Sequence, residues 1–306
     1  MRAPRSGLRI RRNEPRPRIA AFAVAALLLV CLAARAQPPS DTRSAAALDR
    51  ERVAYLTANG VRAATSRAVV WVPPDTLSHD EAQALAQTLA GGVEAIDEFL
   101  HAPRPWQRPP GAVEYFFHPA MFISHANAVE GRVFISFPRI ADGTAAFLHE
   151  ATHALLFPSQ SFLATYEGEE EEVPWLVEGL PTYVAKAVAE QTGFAEGNPF
   201  PIGSIEEIDA TCARSLATPV GAEIAPFIGA LGTPAGLSSR ERRSEVAPAF
   251  YACAASFSKF LAEVIGIEGL VDLMVEPVVH PGIERRAGRS MDQLRAGWRE
   301  RIDAAR

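Results

Sequence analysis

The chain has 306 residues, 48% hydrophobic and 22% charged. This composition fits one large or two modest globular domains with a core of their own, and excludes a disordered chain, a collagen-like repeat or a coiled-coil rod. The formal net charge of −6 hides an asymmetry: residues 1–36 hold eight arginines and one acid, which, taken from totals of 30 and 36, leave 22 basic against 35 acidic residues elsewhere. An acidic body argues against nucleic-acid binding, which needs clustered Lys and Arg on phosphates.

Arginines scattered from Arg2 to Arg18 precede a 15-residue apolar run, Ile19–Ala33, and then Ala34-Arg35-Ala36 ahead of Gln37. A basic region, a short apolar run and a small-x-small end form the layout of a secretory signal peptide, with cleavage expected after Ala36. An uncleaved signal-anchor is the rival reading. The run falls short of the roughly 20 apolar residues of a membrane span, so no stable span is expected after cleavage. Val30 stands before Cys31 where a lipoprotein signal has a small residue, so lipidation is not expected. Export places the mature chain in the periplasm or outside the cell. Its two cysteines, Cys212 and Cys253, are then either one disulfide or two separately buried thiols.

Residues 37–66 are polar and alanine-rich and read as a loose arm leading into a short helix. Ala68–Val72 is a β-branched run stopped by Pro73-Pro74, the signature of a strand. Ser78 with Glu81 forms a capping box that opens an amphipathic helix with Leu85, Leu89, Val93, Ile96 and Leu100 on one face. Pro103, Pro105, Pro109 and Pro110 mark a loop. Ala112–Phe117 and Arg132–Phe137 read as two more strands, and an apolar helix is expected between Asp142 and Pro158. Beyond Pro174 the chain reads mostly helical. Phe250, Ala254, Phe257, Leu261 and Val264 keep helical spacing, and Ser290 with Gln293 caps a last helix that buries Leu294, Trp298 and Ile302. The order predicts an α+β half over residues 67–165 and a mostly α-helical half over 166–306, sharing one cleft.

His149-Glu150-Ala151-Thr152-His153 is an H-E-x-x-H sequence. Residues four apart on a helix share a face, so both imidazoles reach one ion, and Glu150 stands beside them as a base for water. The alternative is a pair of satisfied core histidines. Phe147, Leu148, Ala151, Ala154, Leu155 and Phe157 jacket the helix with apolar side chains, which makes unpaired polar groups costly and favours a metal. A catalytic zinc site takes three protein ligands and keeps one position open. Glu178, an acid within the otherwise apolar Pro174–Tyr183, is the candidate third ligand; alone, it would pass for an ordinary acid at a helix start.

HEATH followed by WLVEGLPTY resembles the gluzincin metallopeptidases, zincins whose metal is held by two histidines of one helix and a glutamate of the next. Tyr251–Leu261, Gly266 and Gly288–Trp298 resemble the helical tail of peptidase-MA-like domains, so the resemblance covers roughly residues 68–303. It implies a zincin-like α+β fold, one catalytic Zn²⁺ held by His149, His153 and Glu178, Glu150 as general base, and a peptide or protein substrate. It also implies a strand that holds substrate backbone, for which Arg132–Phe137 is the candidate; a plain sheet strand is the alternative.

Three features depart from the family pattern. Pro181 follows Glu178 by three residues and is expected to shift the helix start. Glu178 lies 25 residues beyond His153, and the gap holds Glu167 and Glu169–Glu172, read first as a solvated loop and second as a basic-substrate selector or calcium site. No G-x-M-E-N sequence precedes the zinc helix, so an N-terminal exopeptidase is not indicated.

A developing oxyanion needs a donor besides the metal. Tyr251 is the first candidate, Tyr183 the reserve, and His118, His125 and His280 are unranked. The leading expectation is an exported zinc metallopeptidase. Its alternatives are a catalytically silent zincin-fold scaffold of the cell envelope and a zinc hydrolase acting on a non-peptide bond.

Overall fold

A computed structural model describes residues 45–305 except 101–111, 120, 122–123, 129, 157–172, 198–203, 240 and 277. The signal-peptide segment, the proline-rich loop and the acidic run all lie outside the described residues.

The chain enters on α1 (Ala45–Asn59), followed by β1 (Val61–Ala64) and β2 (Ala68–Val72). These strands form an antiparallel hairpin in which Thr65 Oγ1 accepts the amide of Ala68 at 2.9 Å. Then come α2 (His79–Leu100), β3 (Val113–His118), β4 (His125–Asn127) and β5 (Arg132–Ser136). Five strands make one mixed sheet in the order β1-β2-β3-β5-β4, parallel at β2–β3 and β3–β5 and antiparallel at both ends. The fold is therefore α+β, with one small sheet and a helical majority.

Alternation along the strands separates two cores. Val113, Tyr115 and Phe117 of β3 and Val133 and Ile135 of β5 join the main core, shared with the buried face of α2. Phe116 and Phe134 point the other way and pack with Leu56 of α1. The expected face of α2 is the observed one, and its capping box is present: Ser78 donates its amide to Glu81 Oε2 at 2.8 Å, and Glu81 donates its own to Ser78 Oγ at 3.3 Å. The third predicted strand ends one residue early, because Phe137 starts the short helix α3 (Phe137–Ala141), where Pro138 suits a first turn.

The chain then turns through Gly143 (φ +65°) into α4 (Phe147–Leu156), which carries the H-E-x-x-H residues. The helical half follows: α5 (Pro174–Thr192), α6 (Ile208–Leu216), α7 (Pro219–Ile224), α8 (Ala235–Ser238), α9 (Arg243–Asp272), α10 (Val279–Ala287) and α11 (Met291–Ala304). Helix α9 is long and apolar enough by length and composition to cross a membrane, yet it serves as the central core helix, packed against α5, α6 and α10. It breaks at Gly266, whose φ of +79° is open to glycine and rarely to other residues.

Aromatic rings lock α5, α9 and α11 together. Phe257 meets Trp175 at 5.1 Å and Trp298 at 5.4 Å, both edge to face. All three are essentially buried, and each such side chain contributes about 1.5–3 kcal/mol of transfer free energy. A buried polar chain adds direction: Trp298 Nε1 donates to Ser256 Oγ at 2.9 Å, which donates to Asp209 Oδ1 at 2.7 Å. Lys259 and Arg301 complete the shell of Asp209 at 3.3 and 2.7 Å, so the buried carboxylate is fully paired.

Cys212 of α6 and Cys253 of α9 form a disulfide across 41 residues of sequence, compatible with an oxidising compartment. Closing a loop of that length is worth about 4 kcal/mol by chain entropy. Replacing both cysteines with serine should therefore lower the urea midpoint of unfolding by a margin corresponding to about 2–4 kcal/mol. An unchanged midpoint would show that the bond adds no stability.

Candidate metal centre

The first residues of α4 set the site. Helix N-termini leave backbone amides without intrahelical partners. Here Glu196 supplies them: its carboxylate accepts the amide of Leu148 at 2.8 Å and that of His149 at 3.2 Å. Gly197 closes the same contact, donating its amide to Ala145 O at 2.9 Å, and a Cβ at Gly197 would stand 2.2 Å from that oxygen. The segment after α5 is thus clasped onto the start of α4. Burial pushes Glu196 up to about 8, against the pull of the two amides and helped by the neighbouring charge of Glu150.

One turn further on, His149 and His153 project together. Their Nε2 atoms stand 3.1 Å apart. Glu178 of α5 brings Oε2 to 3.4 Å from His149 Nε2 and 3.5 Å from His153 Nε2. Donors about 2.0–2.1 Å from a tetrahedral ion stand roughly 3.3–3.4 Å from one another, so the three separations fit a single ion. His149, His153 and Glu178 could therefore hold a metal ion, as the sequence expectation required.

The tautomer of His149 also fits. Thr182 Oγ1 gives its one hydrogen to the Glu178 carbonyl at 2.6 Å, and so faces His149 Nδ1, 3.3 Å away, as an acceptor. This network places a proton on Nδ1 and so makes Nε2 the ring atom that would ligate an ion. Such partners fix ring orientation in metal sites generally. Burial alone would raise Glu178, but hydrogen bonds and charge from His149 and His153 outweigh it and hold the carboxylate well below the usual range. Glu178 stays ionised, as a ligand must.

Glu150 is 8% exposed. Burial lifts it to about 7; the charge on His149 opposes the shift and Glu178 reinforces it. A carboxyl poised near neutrality beside two histidines suits proton transfer.

Glycine explains how the fourth wall arrives. A Cβ on Gly179 would meet the Ala254 backbone at 2.5 Å and Ser258 Oγ at 2.8 Å. Only a residue without one lets α9 approach α5 this closely, and that approach brings Tyr251 beside the ligands. The Tyr251 ring lies 6.0 Å from His149, and its hydroxyl bonds to Glu178. Burial first and the Glu178 charge second raise the phenol well above its ordinary value, so it remains a proton donor at any working pH. A cavity of about 230 Å³ opens here, with Glu178 and Tyr251 in its lining.

The other candidates fall elsewhere. Tyr183 packs its ring 5.8 Å from Phe99 and faces the charges of Glu263 and Arg301. His118 lies against Tyr55 and His280 against Trp175. His125 bonds Asp49 at 2.8 Å and stacks on Phe134; its charge reaches Glu150, but it does not join the ligands.

Two expectations need correction. Arg132–Ser136 is an interior strand, hydrogen-bonded to β3 on one side and β4 on the other, so it has no free edge for a substrate backbone; the edge beside α4 is β4. Helix α5 starts at Pro174, not at Glu178, and runs through Pro181 without interruption. Pro181 removes only the amide that would have met Val177, and the helix is held on both sides by buried apolar residues. Sequence reasoning missed Thr182 and Glu196. Thr182 was findable, since it follows Glu178 by four residues on the same helix face; Glu196 lies 47 residues from His149 and carries no local signal.

No protein-family model, curated protein or solved structure matches the chain. The resemblance to gluzincins rests on the residues of its two motifs and of the helical tail alone.

Thr182→Val should leave the fold intact and weaken binding of an added divalent transition metal roughly 10–100-fold, whereas Thr182→Ser keeps it near wild type. Competition titration against a chromogenic chelator reads this directly. Equal affinity in the valine variant would remove Thr182 from the site.

Proposed function

We propose that the protein is an exported zinc metallopeptidase of zincin-like architecture. The observation that carries this reading is the convergence of His149, His153 and Glu178 on one point, with a buried Glu150 beside them. Two imidazole nitrogens and one carboxylate suit zinc. Three protein ligands leave a position open for water or substrate, the pattern of a catalytic site rather than a structural one. The disulfide and the signal-like layout of residues 1–36 support export.

Bound at these ligands, zinc supplies Lewis acidity, which acidifies water and polarises a carbonyl. The remaining steps belong to the chain. Glu150 takes a proton from the attacking water at its carboxylate and returns it to the leaving amine. Burial raises the proton affinity of its carboxyl, which favours accepting that proton. Tyr251 keeps its phenolic proton and donates a hydrogen bond to the oxyanion as charge develops on it. Thr182 holds His149 in the ligating tautomer. The apolar residues around α4 exclude bulk water and strengthen each of these interactions.

Metal analysis and peptide cleavage should be measured together on the mature chain, residues 37–306. Wild type and Glu150→Gln should each take up about one zinc, and Glu178→Ala far less. Only the wild type should cleave a mixed peptide library, with the Glu150→Gln rate lower by about 10²–10⁴-fold. A wild type that takes up no zinc overturns the reading. Zinc uptake without peptide cleavage moves the protein to a non-peptide hydrolase if another bond is cut, and to a scaffold if none is.

A further inference from the structure

The cavity beside Glu178 and Tyr251 has a cationic end. Arg243, the first residue of α9, lines it together with Thr233, Leu237 and Ser238. Its neighbour Arg242 is already engaged, with Nη2 2.7 Å from Glu223 and Nε 3.6 Å from Glu245. Arg243 itself is exposed and forms no salt bridge among the described residues.

Its place is built rather than incidental. Glu223 binds Arg242 and also accepts the amide of Gly236 at 2.8 Å, which ties the start of α9 to the short helix α8. A Cβ on Gly236 would meet Val246 Cγ2 at 2.5 Å and Glu223 Oε1 at 2.6 Å, so glycine permits this junction. The Arg243 amide bonds Ser239 O at 2.8 Å. The backbone from which Arg243 projects and the Leu237–Ser238 wall are thereby fixed relative to each other. Its field also reaches the site, since its charge opposes the upward shift of the Tyr251 phenol.

We propose that this cavity is a carboxylate-binding subsite anchored by Arg243, which makes peptides with a free carboxylate close to the scissile bond the preferred substrates. The proposal rests on the peptidase reading. A guanidinium presents a planar fork that matches a carboxylate in bidentate fashion, and the hydroxyl of Ser238 can add a hydrogen bond. With one cation and the Glu178 carboxylate both in the lining, a monoanion is repelled less than a dianionic phosphate would be. The volume of about 230 Å³ lies below the ~300–1,000 Å³ of sites for drug-sized ligands and suits one or two residues. The carboxylate comes either from the C-terminus of a short peptide or from an acidic side chain.

Zinc-loaded Glu150→Gln protein, which binds without turnover, separates these sources by calorimetry with three probes. They are acetyl-tetra-alanine with a free C-terminus, its C-terminal amide, and the amide of acetyl-Ala-Asp-Ala-Ala. At least one carboxylate-bearing probe should bind about tenfold more tightly than the neutral amide. The free acid leading assigns the C-terminus; the aspartyl peptide leading assigns the side chain. Adding Arg243→Gln should reduce the margin to about twofold or less, and Arg243→Lys should restore part of it. Arg243 is exposed, so both variants should keep the unfolding midpoint of the parent. Equal affinity for all three probes, no binding of any, or a margin that survives Arg243→Gln overturns the subsite. Zinc content and wild-type cleavage report separately on the peptidase reading, so the two failures are told apart.

Discussion

Two imidazoles and a carboxylate lie within 3.5 Å of one another because α4 and α5 are packed together and cannot separate. Left to themselves in a partly buried setting, these groups would prefer water or a proton. Packing from three sides holds them together instead. Trp175 anchors the start of α5 against Phe257, Glu196 clasps the end of the same segment onto the start of α4, and Gly179 lets α9 close from the third side. The site is thus a consequence of helix packing, with every ligand on a regular element rather than a loop. That is the arrangement that holds catalytic geometry most tightly.

The same packing divides the acids by role. Glu178 faces two histidines and is held ionised; Glu150, buried on the neighbouring helix, is lifted to about 7; Glu196, at the start of that helix, is lifted to about 8. Three glutamates of one chemical type thereby become a candidate metal ligand, a candidate proton carrier and a helix cap. Environment, not residue identity, makes the distinction. Tyr251 and Arg243 add a proton donor and a fixed cation from α9, so substrate recognition and chemistry would share one helix, tied to α6 by the Cys212–Cys253 disulfide.

Short-range chemistry was legible in the sequence. The capping boxes at Ser78 and Ser290 form as their spacing implied, because the residues that make them are only three apart. Ala68–Val72 followed from its β-branched run and the prolines that stop it, and the apolar face of α2 from periodicity. His149 and His153 were legible because helical spacing converts directly into a shared face, and Glu178 because it is an acid set in an otherwise apolar segment that follows them. What escaped was either too short or too distant. β1 and β4 have four and three residues, too few for a period to show. Glu196 reaches α4 from 47 positions away. The interior place of β5 depends on a hairpin with β4 that no local signal announced. The Gly179 contact is a tertiary constraint, written as an ordinary Glu-Gly pair.

The most direct measurement is a crystal structure of the zinc-loaded mature protein with anomalous data collected on both sides of the zinc edge. One anomalous peak is expected, about 2.0–2.2 Å from His149 Nε2, His153 Nε2 and a Glu178 carboxylate oxygen, with Thr182 still bonded to His149 Nδ1. A peak coordinated through other residues, or none at this point despite stoichiometric zinc in solution, would contradict the assignment of these three side chains as a metal centre.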